Sequence, residues 1–227
     1  MGRVDVVMTS WVKEPKFLDV TRRAVETLLA SSSETKFDVT VVETSRIDLR
    51  VFYDMGVSYA VRYADETFVY NKALNIGAQF GDAAYVVFCS NDLTFTALWW
   101  EELLAGMIAR GAEAGSPISP SFEMQREFVN SSPVVGCRNG REYSGWCFAM
   151  RRSAYDRLGG FAHPTTFWYS DDVIVEQFRR AKVRHVLVPS SVVHHDFHTT
   201  MNEVDAGRRK RDTHGQREVY EKWLSEG

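Results

Sequence analysis

Cysteine is scarce in this sequence, and what there is forms no pattern. Cys89, Cys137 and Cys147 are an odd number with no C-x-x-C spacing, which argues against a disulfide framework or a zinc ribbon as the organising principle. Cys89 lies inside an apolar run and reads as a small core residue. Long hydrophobic runs are missing too. No window reaches roughly eighteen consecutive apolar residues, so no membrane-spanning helix is expected. There is no large excess of either charge. A net charge of -3 and an isoelectric point near 6.1 give no overall pull toward nucleic acid or an anionic membrane. The opening stretch MGRVDVVMTSW shows no charged segment leading into a long apolar one. Val6 stands where a myristoylation signal needs Ser or Thr. Neither a signal peptide nor a lipid anchor is expected, and a cytoplasmic location follows as the expectation. No internal repeat or low-complexity tract is found.

What is present is an ordinary globular balance in 227 residues, 44% hydrophobic and 25% charged, with 13% aromatics. That length suits one large domain or two small ones. VDVVMTS (4–10), FDVTVVETS (37–45), VSYAVRY (57–63) and AAYVVFC (83–89) read as strands, short and rich in β-branched or aromatic residues. Between them, 18–30 and 70–80 carry apolar residues at helical spacing, as does ALWWEELLAGMIAR after the fourth strand. This alternation predicts an α/β fold with a mostly parallel central sheet and helices on both faces. From Gly115 to Glu142 the pattern dissolves among Pro117, Pro120, Pro133 and several serines; this reads as a long functional loop. WCFAM then resumes as a strand, followed by a short helix stopped at Gly159-Gly160. Asp171–Lys182 reads as a helix, RHVLVP and SSVVHH as two short strands, and the charged tail as a terminal helix.

In open α/β sheets ligands bind beyond the carboxyl ends of the strands. Three such ends are polar: Thr9–Trp11, Glu43–Ser45 and Ser90–Asp92. The ordered set of segments resembles the GT-A glycosyltransferases, above all the family 2 type that includes rhamnosyltransferase-like enzymes. YNKALNIGAQFGDAAYVVFCSNDLTF is similar to that family's Asn-x-Gly helix and the strand carrying its DxD motif, and to a segment of β-1,4-galactosyltransferase-like enzymes. SGWCFAMRRSAYDRLGGF resembles the acceptor-side segment. FWYSDDVIVEQFRRAKVRHVLVPSSVVHH resembles the catalytic helix and the final metal-binding strand, and REVYEKW the closing segment. The likeness covers roughly 4–200. It implies a Rossmann-like GT-A fold in one domain, with a nucleotide-sugar half (1–95), an acceptor and catalytic half (96–200) and a charged C-terminal tail (201–227). It implies transfer from a nucleotide-diphospho-sugar to an acceptor hydroxyl with inversion, the acceptor being a glycan, a small molecule or a modified DNA base. The DxD counterpart departs from the pattern, because Ser90 replaces its first Asp and only Asp92 remains.

Each residue has a plainer reading beside the chemical one. Asp92, with Asn91 assisting, holds a divalent cation on the resemblance; alone, it reads as an Asx turn closing a strand. The resemblance puts a metal-contacting imidazole at His194, or at His195 if the register differs by one, because neighbours on a strand face opposite ways. His198, four residues after His194, offers a separate zinc pair only if that stretch is helical. A carboxylate and imidazole set suits Mn²⁺ better than Mg²⁺. Asp172 is the general base by resemblance, with Asp171 orienting the acceptor; both also suit the start of a helix, where Asp caps and complements the dipole. Thr9, Glu43, Lys72 and Asn75 are candidates for donor contacts, and Trp146 and Trp168 for the acceptor side. Strand-end polarity, a solvated helix face and core packing are the ordinary alternatives.

Two other classes compete. A nucleotidyltransferase would need a glycine-rich phosphate loop after the first strand, and TSWVKEPKF has no glycine. A non-catalytic sugar- or nucleotide-binding module fits the thinned DxD but leaves the Asp171-Asp172 pair without a task. The basic cluster Arg208–Arg211 permits a DNA-base acceptor, which the net charge does not support.

Overall fold

The structure, a computed structural model, describes residues 2–65, 67–196 and 206–226, with side chains of the last stretch from residue 213 onward. In chain order the elements are β1 (Gly2–Ser10), α1 (Pro15–Ala30), β2 (Thr35–Glu43), α2 (Arg50–Tyr53), β3 (Tyr59–Arg62), α3 (Tyr70–Gly77), β4 (Tyr85–Ser90) and β5 (Leu93–Phe95). There follow α4 (Trp99–Ala109), β6 (Ala114–Ile118), β7 (Val134–Val135), β8 (Cys147–Arg151), α5 (Arg152–Leu158), α6 (Ser170–Arg180), β9 (His185–His195) and α7 (Ala206–Glu226).

The strands form a curled sheet in the order β3-β2-β1-β4-β8-β6-β9-β5, with β7 also on β9. β1 pairs in parallel with β2 and β4, β2 with β3, and β6 with β9, while β8, β5 and β7 run the other way. Six of the nine strands among the described residues therefore share one direction. Both faces are covered, which explains why β1 and β4 read as unbroken apolar runs. Val4, Val6, Met8, Val87 and Cys89 pack into a core with α1 and α4. Val7, Val86 and Phe88 face a second core with α3, α5 and α6. The alternation follows from the two-residue period of a strand.

Several predicted boundaries shift for identifiable reasons. The helix predicted over 70–80 ends at Gly77 and finishes as a 3-10 turn over Ala78–Phe80. Gly77 is needed for close packing, since a Cβ there would lie 2.3 Å from Val7 Cγ1. Gly159 ends α5 in the left-handed conformation, with φ 71°. The two strands predicted after residue 184 are one strand, β9. Its ladder with β6 skips from Val188 to Val192, a bulge that accommodates Pro189, which has no N–H to give. β6 itself, Ala-Gly-Ser-Pro-Ile, lies in the stretch predicted as irregular, and it is wholly buried.

Register decides where the polar strand ends fall. Thr9 is level with Ser90 and Val42, and Ser10 with Glu43, so these ends line one rim of the sheet. Among the described residues no helix is long and apolar enough to cross a membrane.

Candidate active site

Ser90, Asn91 and Asp92 form the bend between β4 and β5. Ser90 Oγ donates to Asp92 Oδ1 at 2.6 Å, and the Ser90 amide donates to the Trp146 carbonyl at 3.0 Å. The antiparallel β5–β9 ladder sets Leu93 opposite His195. His195 Nε2 consequently lies 3.2 Å from Asp92 Oδ1, both side chains being largely buried. Its ring stacks on Trp146, centroids 5.3 Å apart and planes 24° apart, and its amide donates to Ser119 Oγ at 3.2 Å. His194, one residue earlier, is exposed on the opposite face. Burial pushes the Asp92 carboxyl up, but the His195 hydrogen bond and charge and the Ser90 hydroxyl outweigh it, and the net shift is downward. Asn91 turns away: its Nδ2 donates to Thr21 Oγ1 at 2.7 Å and points toward Ser10 Oγ at 3.4 Å.

One carboxylate and one imidazole in contact with each other are a two-donor set. They suit a cation that takes its other ligands from the oxygens of an anionic ligand and water. They do not make a zinc cage; among the described residues no group of three or more His, Cys, Asp or Glu is placed to hold a metal ion.

Asp171 and Asp172 occupy the first turn of α6. Asp171 lies against Gly145, where a Cβ would sit 1.9 Å from Asp171 Oδ1; glycine is required by the close approach. Burial, then the neighbouring Asp172 charge, push the Asp171 carboxyl up to about 6, against the hydrogen bond from the Gly145 amide. The Gly145 carbonyl accepts from Tyr70 Oη at 2.9 Å. Tyr70 is held well above its ordinary range by burial first, then by the charges around it, Asp171 ahead of Asp92. The Gly145-Trp146 dipeptide thus touches both centres: Gly145 meets Asp171, and Trp146 stacks on the imidazole beside Asp92.

Ser144, just before the dipeptide, is held by a residue the sequence reading missed. Gln125, fully buried, donates from Nε2 to Ser144 Oγ at 2.9 Å and the Arg141 carbonyl at 3.0 Å. Its Oε1 accepts from the Ser119 amide at 3.0 Å. One glutamine side chain therefore ties together the start and the end of the irregular stretch between β6 and β8. A lone Gln among prolines and serines has no periodicity to betray it.

The remaining candidates divide. Thr9 is buried at the rim. Glu43 is fully buried; its Oε1 accepts from the Val12 amide at 3.0 Å and the Ser45 amide at 2.6 Å, while Oε2 is buried without a partner. Lys72 is half-exposed and paired with Asp65 at 2.5 Å. Asn75 is fully engaged with the turn after α5: Oδ1 accepts from the Phe161 amide at 2.8 Å and Tyr155 Oη at 2.9 Å, and Nδ2 donates to the Phe161 carbonyl at 2.7 Å. Trp168 is partly exposed, its ring 5.5 Å edge-on from Phe167. His198 and the side chains of Arg208–Arg211 lie outside the described residues.

Strand order, helices on both faces and a rim of polar strand ends define a GT-A fold, an α/β architecture with a Rossmann-like, mostly parallel sheet. No protein-family model matches the chain, and no curated protein matches it either. Among solved structures, the mannosyltransferase PcManGT from Pyrobaculum calidifontis, in complex with GDP-Man and Mn²⁺, is similar with a TM-score of 0.63 at 15% identity. The match covers 85% of this chain and 56% of that one. The likeness is one of fold, and this chain spans a little over half the length of that enzyme.

Proposed function

We propose that the chain is an inverting, metal-dependent glycosyltransferase in a single GT-A domain, moving a sugar from a nucleotide-diphospho-sugar to an acceptor hydroxyl in one displacement. The observation that carries this is the Gly145-Trp146 wall, which has a carboxylate–imidazole pair on one side and a half-buried, raised carboxylate on the other. A place for an anionic leaving group and a place for a departing proton lie next to each other. The fold likeness to an enzyme that holds GDP-Man and Mn²⁺ supports the donor class.

Asp92 and His195 would hold the cation, Mn²⁺ before Mg²⁺ because one ligand is an imidazole. When bound, such a cation offsets the negative charge that builds on a diphosphate leaving group. His195 takes this role rather than His194, whose side chain points to the other face. Asp171 takes the acceptor's proton. The resemblance puts the base at Asp172, but a carboxyl raised to about 6 beside Gly145 is better matched to proton transfer near neutrality. Asp172 lies beside it and sustains that rise. Thr9 stands at the donor-side rim with Glu43 buried behind it, bracing the Val12 and Ser45 amides, and Trp146 and Trp168 are on the acceptor side. Asn91 and Asn75 are given no donor contact, because their amides are committed to Thr21 and to Tyr155 and Phe161; Lys72, half-exposed beside Asp65, stays on the donor side.

The test is a panel of UDP-, GDP- and dTDP-sugars with and without Mn²⁺, followed by melting temperature, donor hydrolysis and sugar transfer. One donor should raise the melting temperature only with Mn²⁺, and Asp92→Asn should abolish that shift. Asp171→Asn should keep the shift and lose at least about a hundredfold in transfer, with Asp172→Asn less affected. If no donor shifts the protein under any condition, a non-catalytic module replaces this reading.

A further inference from the structure

From residue 213 onward, α7 contributes almost nothing to the core. Of its side chains from residue 213 onward none is buried, and only Thr213, Gln216, Tyr220, Trp223 and Leu224 are even partly covered. Gln216, Tyr220 and Trp223 are spaced four and three residues apart and so share one face. That face runs along α6. Gln216 Oε1 accepts two consecutive backbone amides, Thr166 at 3.0 Å and Phe167 at 2.8 Å. Tyr220 stacks on Tyr169, centroids 5.3 Å apart and planes 18° apart. At the far end Arg180 lies over the Trp223 ring at 4.7 Å and donates to the Leu224 carbonyl at 3.4 Å.

The segment so gripped is unusual. Tyr169 leads into α6 with φ 64°, a left-handed conformation that costs a non-glycine residue about 1 kcal/mol or more. No side chain caps the helix there. The turn is held from outside instead, by Gln216 and Tyr220 on one side and by the Tyr70 amide, which donates to the Thr166 carbonyl at 2.7 Å, on the other. Asp171 and Asp172 follow within six residues of those bonds.

We infer that α7 is a splint for the Asp171-Asp172 turn, with Gln216 and Tyr220 as positioning residues. This rests on the proposal that the pair handles the acceptor's proton. Gln216 fixes the height of the turn and Tyr220 fixes Tyr169 in its left-handed state; together they hold the Asp171 carboxylate against Gly145.

The variants are Gln216→Ala, Gln216→Asn, Tyr220→Ala and Tyr220→Phe. They are read by transfer kinetics and by a ¹³C carboxyl titration of Asp171, assigned by its loss in Asp171→Asn. The charged and titratable groups facing that carboxyl are Asp172 on its own helix, Tyr70 on α3 and Tyr143 before β8. The splint calls for kcat to fall about tenfold in Gln216→Ala, Gln216→Asn and Tyr220→Ala with donor KM unchanged, and for the Asp171 titration to move toward the ordinary carboxylate range. Tyr220→Phe, which keeps the stacked ring, should restore both. Wild-type kcat and an unmoved titration in the two alanine variants overturn the splint. If instead Asp171→Asn and Asp172→Asn both transfer sugar at the wild-type rate, or no donor turns over at all, it is the functional reading that fails. The titration needs no substrate and judges the splint in either case.

Discussion

Gly145 shows how a single missing side chain sets the chemistry of its neighbours. Gly145→Ala would put a methyl 1.9 Å from Asp171 Oδ1, so the carboxylate must leave its seat. Transfer should fall about a hundredfold or more while the Mn²⁺-dependent melting shift given by a donor persists; a variant with near-normal transfer would place the proton acceptor elsewhere. In the wild type, Asp171 accepts a proton only when ionised. The pH profile of kcat should therefore rise through an acid limb near 6, the value to which burial and Asp172 push it, and Asp171→Asn should remove that limb. The two aspartates were legible in the sequence because a helix start with adjacent carboxylates is conspicuous. The choice between His194 and His195 was legible only as an alternative, because strand alternation says that one of them faces in and not which. The ladder that sets Leu93 opposite His195 turns the His195 ring, and not that of His194, toward Asp92.

Among the elements, α3 and β6 show why one could be read from sequence and the other could not. α3 announces itself by helical spacing, but the task of Asn75 on it does not. Its side chain closes three hydrogen bonds with Tyr155 and both backbone groups of Phe161, pinning the turn after α5 to the helix. Asn75→Ala strands those groups and should destabilise the fold by roughly 2–4 kcal/mol, measured by urea unfolding. Donor-induced melting shifts should stay at wild-type size; their loss would return Asn75 to the donor site. β6 is built from residues chosen for smallness. A Cβ on Gly115 would lie 2.8 Å from Met107 Cγ, so α4 can pack on the strand only where side chains are short. Small residues and a proline carry no β signal, and a buried strand consequently read as loop. The same blindness hid Gln125, which acts through contacts far apart in sequence.

At the scale of the whole molecule, two shifted groups, a half-buried carboxyl and a buried imidazole, pull the acid stability in opposite directions. Asp171 rises from 3.8 to about 6 on folding. Between those values the native state binds more protons than the unfolded chain, so this group adds stability as pH falls. His185 does the reverse. It is sealed under Tyr143 and Phe178, bonded to the Gly136 carbonyl at 2.6 Å and to Ser116 Oγ at 3.0 Å. Burial drives it from 6.5 down to about 4, against the Gly136 bond and the Glu142 charge. Its neutral form contributes stability that is complete above 6.5 and drains away as pH falls toward 4. Each contribution is about 3 kcal/mol, and their windows overlap almost completely. From these two groups wild-type stability should be nearly flat between pH 6.5 and 4, with Asp92, whose carboxyl is held below its ordinary value, weakening the fold only at lower pH. Separating the two groups exposes the balance. Asp171→Asn removes a half-buried charge beside Asp172, so it should gain roughly 1–3 kcal/mol at pH 8 and then lose stability steeply on acidification, as His185 acts alone. His185→Phe should show the opposite slope. Urea unfolding at half-unit steps of pH reads both. Parallel curves for wild type and Asp171→Asn would mean that the Asp171 carboxyl is not raised in the folded protein, and the chemical role assigned to it would fall with that result. A gain at pH 8 together with a lost acid limb in kcat would show that the molecule gives up stability to keep one carboxylate without a cationic partner and ready to take a proton.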